Sequence, residues 1–82
     1  MAEAIVNIAG YRFVDLPDRD ELRAPMIEIC RTSNLRGTVL LAHEGINFFL
    51  AGTQNGIDAF LAYLGQDSRF LDVPLKLSLI HI

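Results

Sequence analysis

Three hydrogen-bonding side chains, His43, Glu44 and Asn47, fall within five positions around the hinge residue Gly45, between runs that are otherwise almost wholly apolar. An imidazole, a carboxylate and a carboxamide grouped in this way can bind a polar ligand or a polar partner surface. His43 and Glu44 are sequence neighbours, and neighbours in a strand point to opposite faces, so they address one substrate only if the turn rotates one of them. Arg36 opens the first run beside Gly37, where a guanidinium can reach a phosphate or lie on the surface. Arg36, His43, Glu44, Gly45 and Asn47 are therefore the candidate binding residues, and none is assigned a catalytic role. Cys30 is the single cysteine and lies on the apolar stripe of a predicted helix, which reads as a core thiol rather than a nucleophile. His43 and His81 are the two histidines, and without a defined carboxylate they fall short of a metal site. No metal or cofactor is expected. Asp18, Asp20 and Glu21 read as capping and helix-dipole residues.

The elements that position these groups follow from periodicity. Val39–Ala42 and Ile46–Leu50 are short apolar runs around a polar turn, which predicts a β-hairpin reversing at Glu44-Gly45, with glycine supplying a positive φ. Ahead of it, Ala4 to Leu16 predicts a strand, clearest from Tyr11 to Leu16, with Gly10 marking a bulge or a close backbone approach. Asp18-Arg-Asp-Glu21 has the form of a capping box, and Leu22, Met26, Ile29 and Cys30 form one stripe of a helix from about Asp20 to Thr32. Pro25 implies a late start or an irregular first turn, and Asn34 suits a left-handed C-terminal position. Thr53 is a predicted N-cap for a second helix with Ile57, Phe60, Leu61 and Leu64 inward and Gly65 as its stop. Gln66–Arg69 reads as a surface loop, and Leu75–Leu79 alternates as a last strand.

The resulting order βαββαβ predicts an α+β, ferredoxin-like two-layer sandwich: a four-stranded antiparallel sheet with two helices on one face. Its other face would be open. Apolar side chains on that face would suggest a partner, including a second copy in a homodimer.

Eighty-two residues with 51% hydrophobic and 21% charged content make one small folded domain. A net charge of −3 argues against free-standing, non-specific binding to a phosphate backbone, and six scattered arginines with one lysine imply weak RNA affinity for the domain alone. One cysteine suits a reducing compartment, and neither a signal peptide nor a membrane span is evident, so the expected location is cytoplasmic.

Tyr11-Arg-Phe-Val-Asp-Leu16, the helix ending near Cys30, and above all Arg36-Gly-Thr-Val-Leu-Leu-Ala-His-Glu-Gly-Ile-Asn47 resemble the N-terminal domain of the rhodanese-related tRNA uridine hydroxylase family. The resemblance runs from about Tyr11 to Leu77. It implies an acylphosphatase-like domain, residues 1–77, preceding a rhodanese domain that carries the reactive cysteine. The whole protein would hydroxylate the wobble uridine of tRNA in prephenate-dependent chemistry. The fragment alone is not expected to be catalytic; tRNA and the rhodanese domain are its implied partners. Two features depart from the family pattern. Phe48 stands where a small residue usually follows the motif asparagine, and is expected to crowd the hairpin tip, while residues 78–82 read as a non-native or truncated tail. Acylphosphatase chemistry itself is disfavoured. The segment after strand one, Leu16-Pro-Asp-Arg-Asp20, lacks the glycines of a phosphate cradle, and Asn47 falls on strand three.

Overall fold

The computed structural model describes residues 4–81. Four strands, β1 (Ala4–Phe13), β2 (Arg36–Ala42), β3 (Gly45–Gly52) and β4 (Leu75–His81), alternate with helices α1 (Arg19–Thr32) and α2 (Gln54–Gly65) in the predicted order. They form one antiparallel sheet of order β2-β3-β1-β4. The register sets the two faces, because directly opposed residues in an antiparallel pair share a face. Ile8 opposes Leu50 and Leu77, Gly10 opposes Phe48 and Leu75, and Arg12 opposes Ile46. On this face Val6, Ile8, Ile46, Phe48 and Leu50 meet Met26 of α1 and Ile57, Phe60 and Leu64 of α2, all buried in one core.

Strand β1 ends at Phe13, three residues short of the sequence boundary. Beyond it the chain stays tied to the hairpin turn: the Val14 amide donates to the Glu44 carbonyl at 3.0 Å and the Leu16 amide to the His43 carbonyl at 2.9 Å. Leu16 is fully buried. The hydrophobic signal was sound, but it belongs to an anchored segment outside the β1 ladder. Gly10 is neither a bulge nor a close backbone approach: the register runs through it unbroken, and side chains fill the space, so that a Cβ there would sit 2.6 Å from the Phe48 ring.

In α1 the capping box does not form. Asp18 occupies the N-cap without a side-chain bond to the helix, because its carboxylate is committed to Arg69. The helix runs through Pro25 without a late start, and both Pro25 and Glu21, whose carbonyl loses its partner, are exposed to water. The C-terminus is as predicted. Asn34 takes φ 57°, the Leu35 amide donates to Cys30 at 2.9 Å and the Asn34 amide to Arg31 at 3.1 Å, the paired bonds of a Schellman cap.

Helix α2 starts as expected, with the Gly56 amide donating to Thr53 Oγ1 at 3.2 Å. Thr53→Ala is expected to cost about 1 kcal/mol, read as a lower urea midpoint with unchanged slope. Gly65 ends α2 without a left-handed turn: Gln66 continues in the right-handed region and the chain tightens into a 3₁₀ turn, Ser68–Phe70, where a plain loop was predicted. Phe70 from that turn is buried in the core. Ser78–His81, set apart as a tail on sequence, extend β4 opposite Ala4–Asn7.

Candidate functional site

The hairpin turn consists of His43-Glu44, one position earlier than predicted, with Gly45 as the first residue of β3 opposite Ala42 and Phe13. Glycine is required there for two reasons. Its φ is +151°, and an added Cβ would lie 2.0 Å from the Arg12 carbonyl oxygen. The tip is thus pressed against the end of β1 and held by the Val14 and Leu16 amides. His43 and Glu44 both project from this fixed turn into solvent, and Asn47 is exposed on the open face of the sheet between Tyr11 and Leu40.

Of the five candidate residues, the structure brings His43, Glu44, Gly45 and Asn47 together. Arg36 stands apart. It opposes Ala51 at the other end of β2, roughly 20 Å from the turn at about 3.3 Å per residue. Nor do Arg36 and Arg12 converge, since β3 separates their strands and they face opposite sides of the sheet. Phe48 does not crowd the tip; it points into the core, its ring edge-on to Phe60 at 5.3 Å.

The segment between β1 and α1 cannot cradle a phosphate. The Val14 and Leu16 amides are already bonded, and Asp18 places a carboxylate at the start of α1. Cys30 is half-buried, and burial pushes its thiol up, away from the thiolate that nucleophilic chemistry requires. Among the described residues no His, Cys, Asp and Glu side chains are grouped to hold a metal, and no helix is long and apolar enough to cross a membrane. The His81 side chain lies outside the described part of the structure.

Two features were missed on sequence. The first is a polar clamp: Arg69 donates to Asp18 at 2.6 and 3.1 Å and to Asp67 at 2.7 Å, tying the 3₁₀ turn to the start of α1 across 51 positions. The Arg69 guanidinium holds both carboxyls below their ordinary range, and they in turn raise its own pKa. Groups whose folded pKa is depressed add stability that is present above the unfolded value of about 3.9 and is lost as pH falls through the folded value. The melting temperature is therefore expected to drop below about pH 4, and Arg69→Met should lower it at pH 7 while flattening that acid limb, as pH-dependent thermal melts would read. The second is the composition of the open face. Tyr11 is 55%, Phe13 80%, Leu40 60% and Phe49 58% exposed there, with Tyr11 and Phe13 packed edge to face at 5.6 Å. Alternation around Tyr11 and Phe13 separated the two sides of β1, but nothing in the sequence alone says which side the helices cover.

Residues 5–81, nearly the whole chain, match the model of the UPF0176 acylphosphatase-like domain. The chain belongs to that family. This domain is 55% identical over 76 residues to a tRNA uridine(34) hydroxylase of Thiobacillus denitrificans and 53% identical over 75 residues to one of Cupriavidus taiwanensis. Those matches cover 93% and 92% of this chain but 31% and 27% of the relatives, so the chain spans under a third of their length. It corresponds to their N-terminal part. Among solved structures, full-length HypF in its phosphate- and nucleotide-bound form contains a similar fold, with a TM-score of 0.57 at 17% identity over all of this chain and 11% of that one. At that identity the likeness concerns the fold.

Proposed function

We propose that this chain is the N-terminal domain of an enzyme that hydroxylates uridine 34, the wobble position, of tRNA. The single observation that carries the reading is the 51–55% identity over nearly the whole domain to proteins bearing that name. In this reading residues 1–77 form the accessory domain, Ser78–His81 complete β4 within the stretch that matches the family, and the reactive cysteine belongs to a downstream rhodanese domain in the cytoplasm. The UPF0176 domain supplies no catalytic residue or cofactor. Its hairpin tip, with His43, Glu44 and Asn47 fixed on Gly45, contacts tRNA or the rhodanese domain, and Arg36 touches the same partner from the far end of β2.

The test is to place this domain in a full-length hydroxylase and change Glu44→Ala and Asn47→Ala together. Both side chains are exposed, so folding should persist while hydroxylation falls roughly tenfold or more, equivalent to about 1.4 kcal/mol. Unchanged modification in tRNA digested and analysed by mass spectrometry would remove the tip from the mechanism. A second reading draws on the four exposed apolar side chains of the open face: the isolated domain is a non-catalytic interaction or small-molecule-binding module that dimerises through them. Sedimentation at micromolar concentration decides it, a stable dimer supporting that reading and a clean monomer opposing it.

A further inference from the structure

We infer that the open face of the sheet is a stacking platform for the bases of single-stranded RNA, with Tyr11, Phe13 and Phe49 as the rings and Lys76 and Arg36 as the phosphate contacts. The inference rests on the tRNA reading above and names the surface that meets the nucleic acid. The register lays the face out in rows about 7 Å apart, two residues along each strand. From the hairpin end these are Phe13, Gly45 and Ala42; then Tyr11, Asn47 and Leu40; then Lys76, Ala9, Phe49 and Thr38; then Ser78, Asn7, Ala51 and Arg36. The rings stand on β1 and β3, the two central strands. Aromatic side chains on the central strands of a four-stranded sheet, with helices covering the reverse, can stack two or three unpaired bases.

Three further observations favour RNA over an apolar protein surface. The strand positions of this face hold two cations and, among the described residues, no carboxylate, in a chain of net charge −3; Glu44 in the turn and Asp15 just past β1 stand beside Phe13 at the rim. The cations flank the rings on the outer strands, where a phosphate backbone crossing the sheet would run. The face is also shallow where the rings cluster. The depression whose lining includes Tyr11, Phe13, Leu40, Ala42, Glu44 and Asn47 measures about 260 Å³, below the roughly 300–1,000 Å³ of enclosing ligand pockets, so it seats a flat ring against its floor. Asn47, at its centre, offers an adjacent donor and acceptor to the hydrogen-bonding edge of a seated base.

The test is fluorescence anisotropy of the 82-residue chain with a fluorescein-labelled single-stranded uridine heptamer, a duplex of the same length and a folded tRNA transcript. Saturable binding of the heptamer tighter than about 1 mM is expected at low salt, with a shallow salt slope of about −1.4 for two phosphate contacts on a single strand. Tyr11→Ala and Phe49→Ala should each weaken it about five- to hundredfold. Tyr11→Phe should restore it, and Leu71→Ala, an exposed apolar residue outside the strands, should leave it unchanged. Thermal melts by circular dichroism establish that the variants fold. Absence of heptamer binding, equal affinity for the duplex, or loss of a sedimenting dimer in Tyr11→Ala with RNA binding unchanged would overturn the platform. So would tRNA binding that neither alanine variant weakens, although the tRNA reading itself would then stand; that reading falls separately, on the hydroxylation assay.

Discussion

Gly45→Ala is expected to destabilise the domain by about 3–5 kcal/mol, enough to unfold much of a chain whose whole stability should be about 4–12 kcal/mol at 0.05–0.15 per residue over 82 residues. A methyl group at position 45 meets a carbonyl oxygen at 2.0 Å, and the obstacle is the backbone of Arg12, which cannot swing aside as a side chain can. Relief requires breaking the Phe13–Gly45 pair, which also loosens the Val14 and Leu16 bonds that hold the turn. The positive φ adds its own penalty for any residue with a Cβ. Gly65→Ala is the matched control. Nothing lies within 4 Å of a Cβ at that helical position, so alanine there should raise stability by about 0.5–1 kcal/mol. Urea unfolding of the two variants side by side reads both signs.

Phe48→Ala is the second large effect, expected at about 3–5 kcal/mol. The Phe48 ring fills the space above Gly10 and packs edge-on to Phe60 of α2 in the centre of the core, so truncation opens a cavity between the sheet and α2 that can relax only in part. Its neighbour gives the contrast. Phe49→Ala, one residue on and facing solvent, should change stability by less than about 0.5 kcal/mol. Chemical denaturation of both variants would show whether the face assignment of β3 is right, since a one-residue slip would reverse the two results.

Those paired phenylalanines also show where sequence reasoning reached its end. The element order, the Thr53 cap, the inward stripe of α2 and the left-handed Asn34 were legible because each depends on neighbours within four positions. The orientation of Phe48 was not, because two adjacent aromatics in a strand are equivalent until the helices choose a side. Asp18 illustrates the same limit. Locally it fits a capping box with Glu21, but Arg69, 51 positions away, takes its carboxylate in a charge-assisted fork stronger than a cap bond. At the candidate site, His43, Glu44, Gly45 and Asn47 could be grouped by proximity in sequence, whereas the separation of Arg36 required knowing how long β2 runs. The turn itself was misplaced by one residue. Glycine was assigned to the reversal, while the structure uses it where the reversal touches β1, a contact between segments more than thirty positions apart.

The central claim, that this domain serves uridine 34 hydroxylation, is tested most directly by exchange. The Thiobacillus denitrificans hydroxylase, 55% identical over the shared region, would be prepared in two forms: one with its N-terminal part replaced by this domain, the other with that part deleted. Hydroxylated uridine 34 would be quantified by mass spectrometry of tRNA incubated with each. The account predicts that the exchanged enzyme modifies tRNA at a rate near the parent's and that the deletion, soluble and folded by circular dichroism, loses most of that activity. A deletion form that modifies tRNA as well as the parent would contradict it.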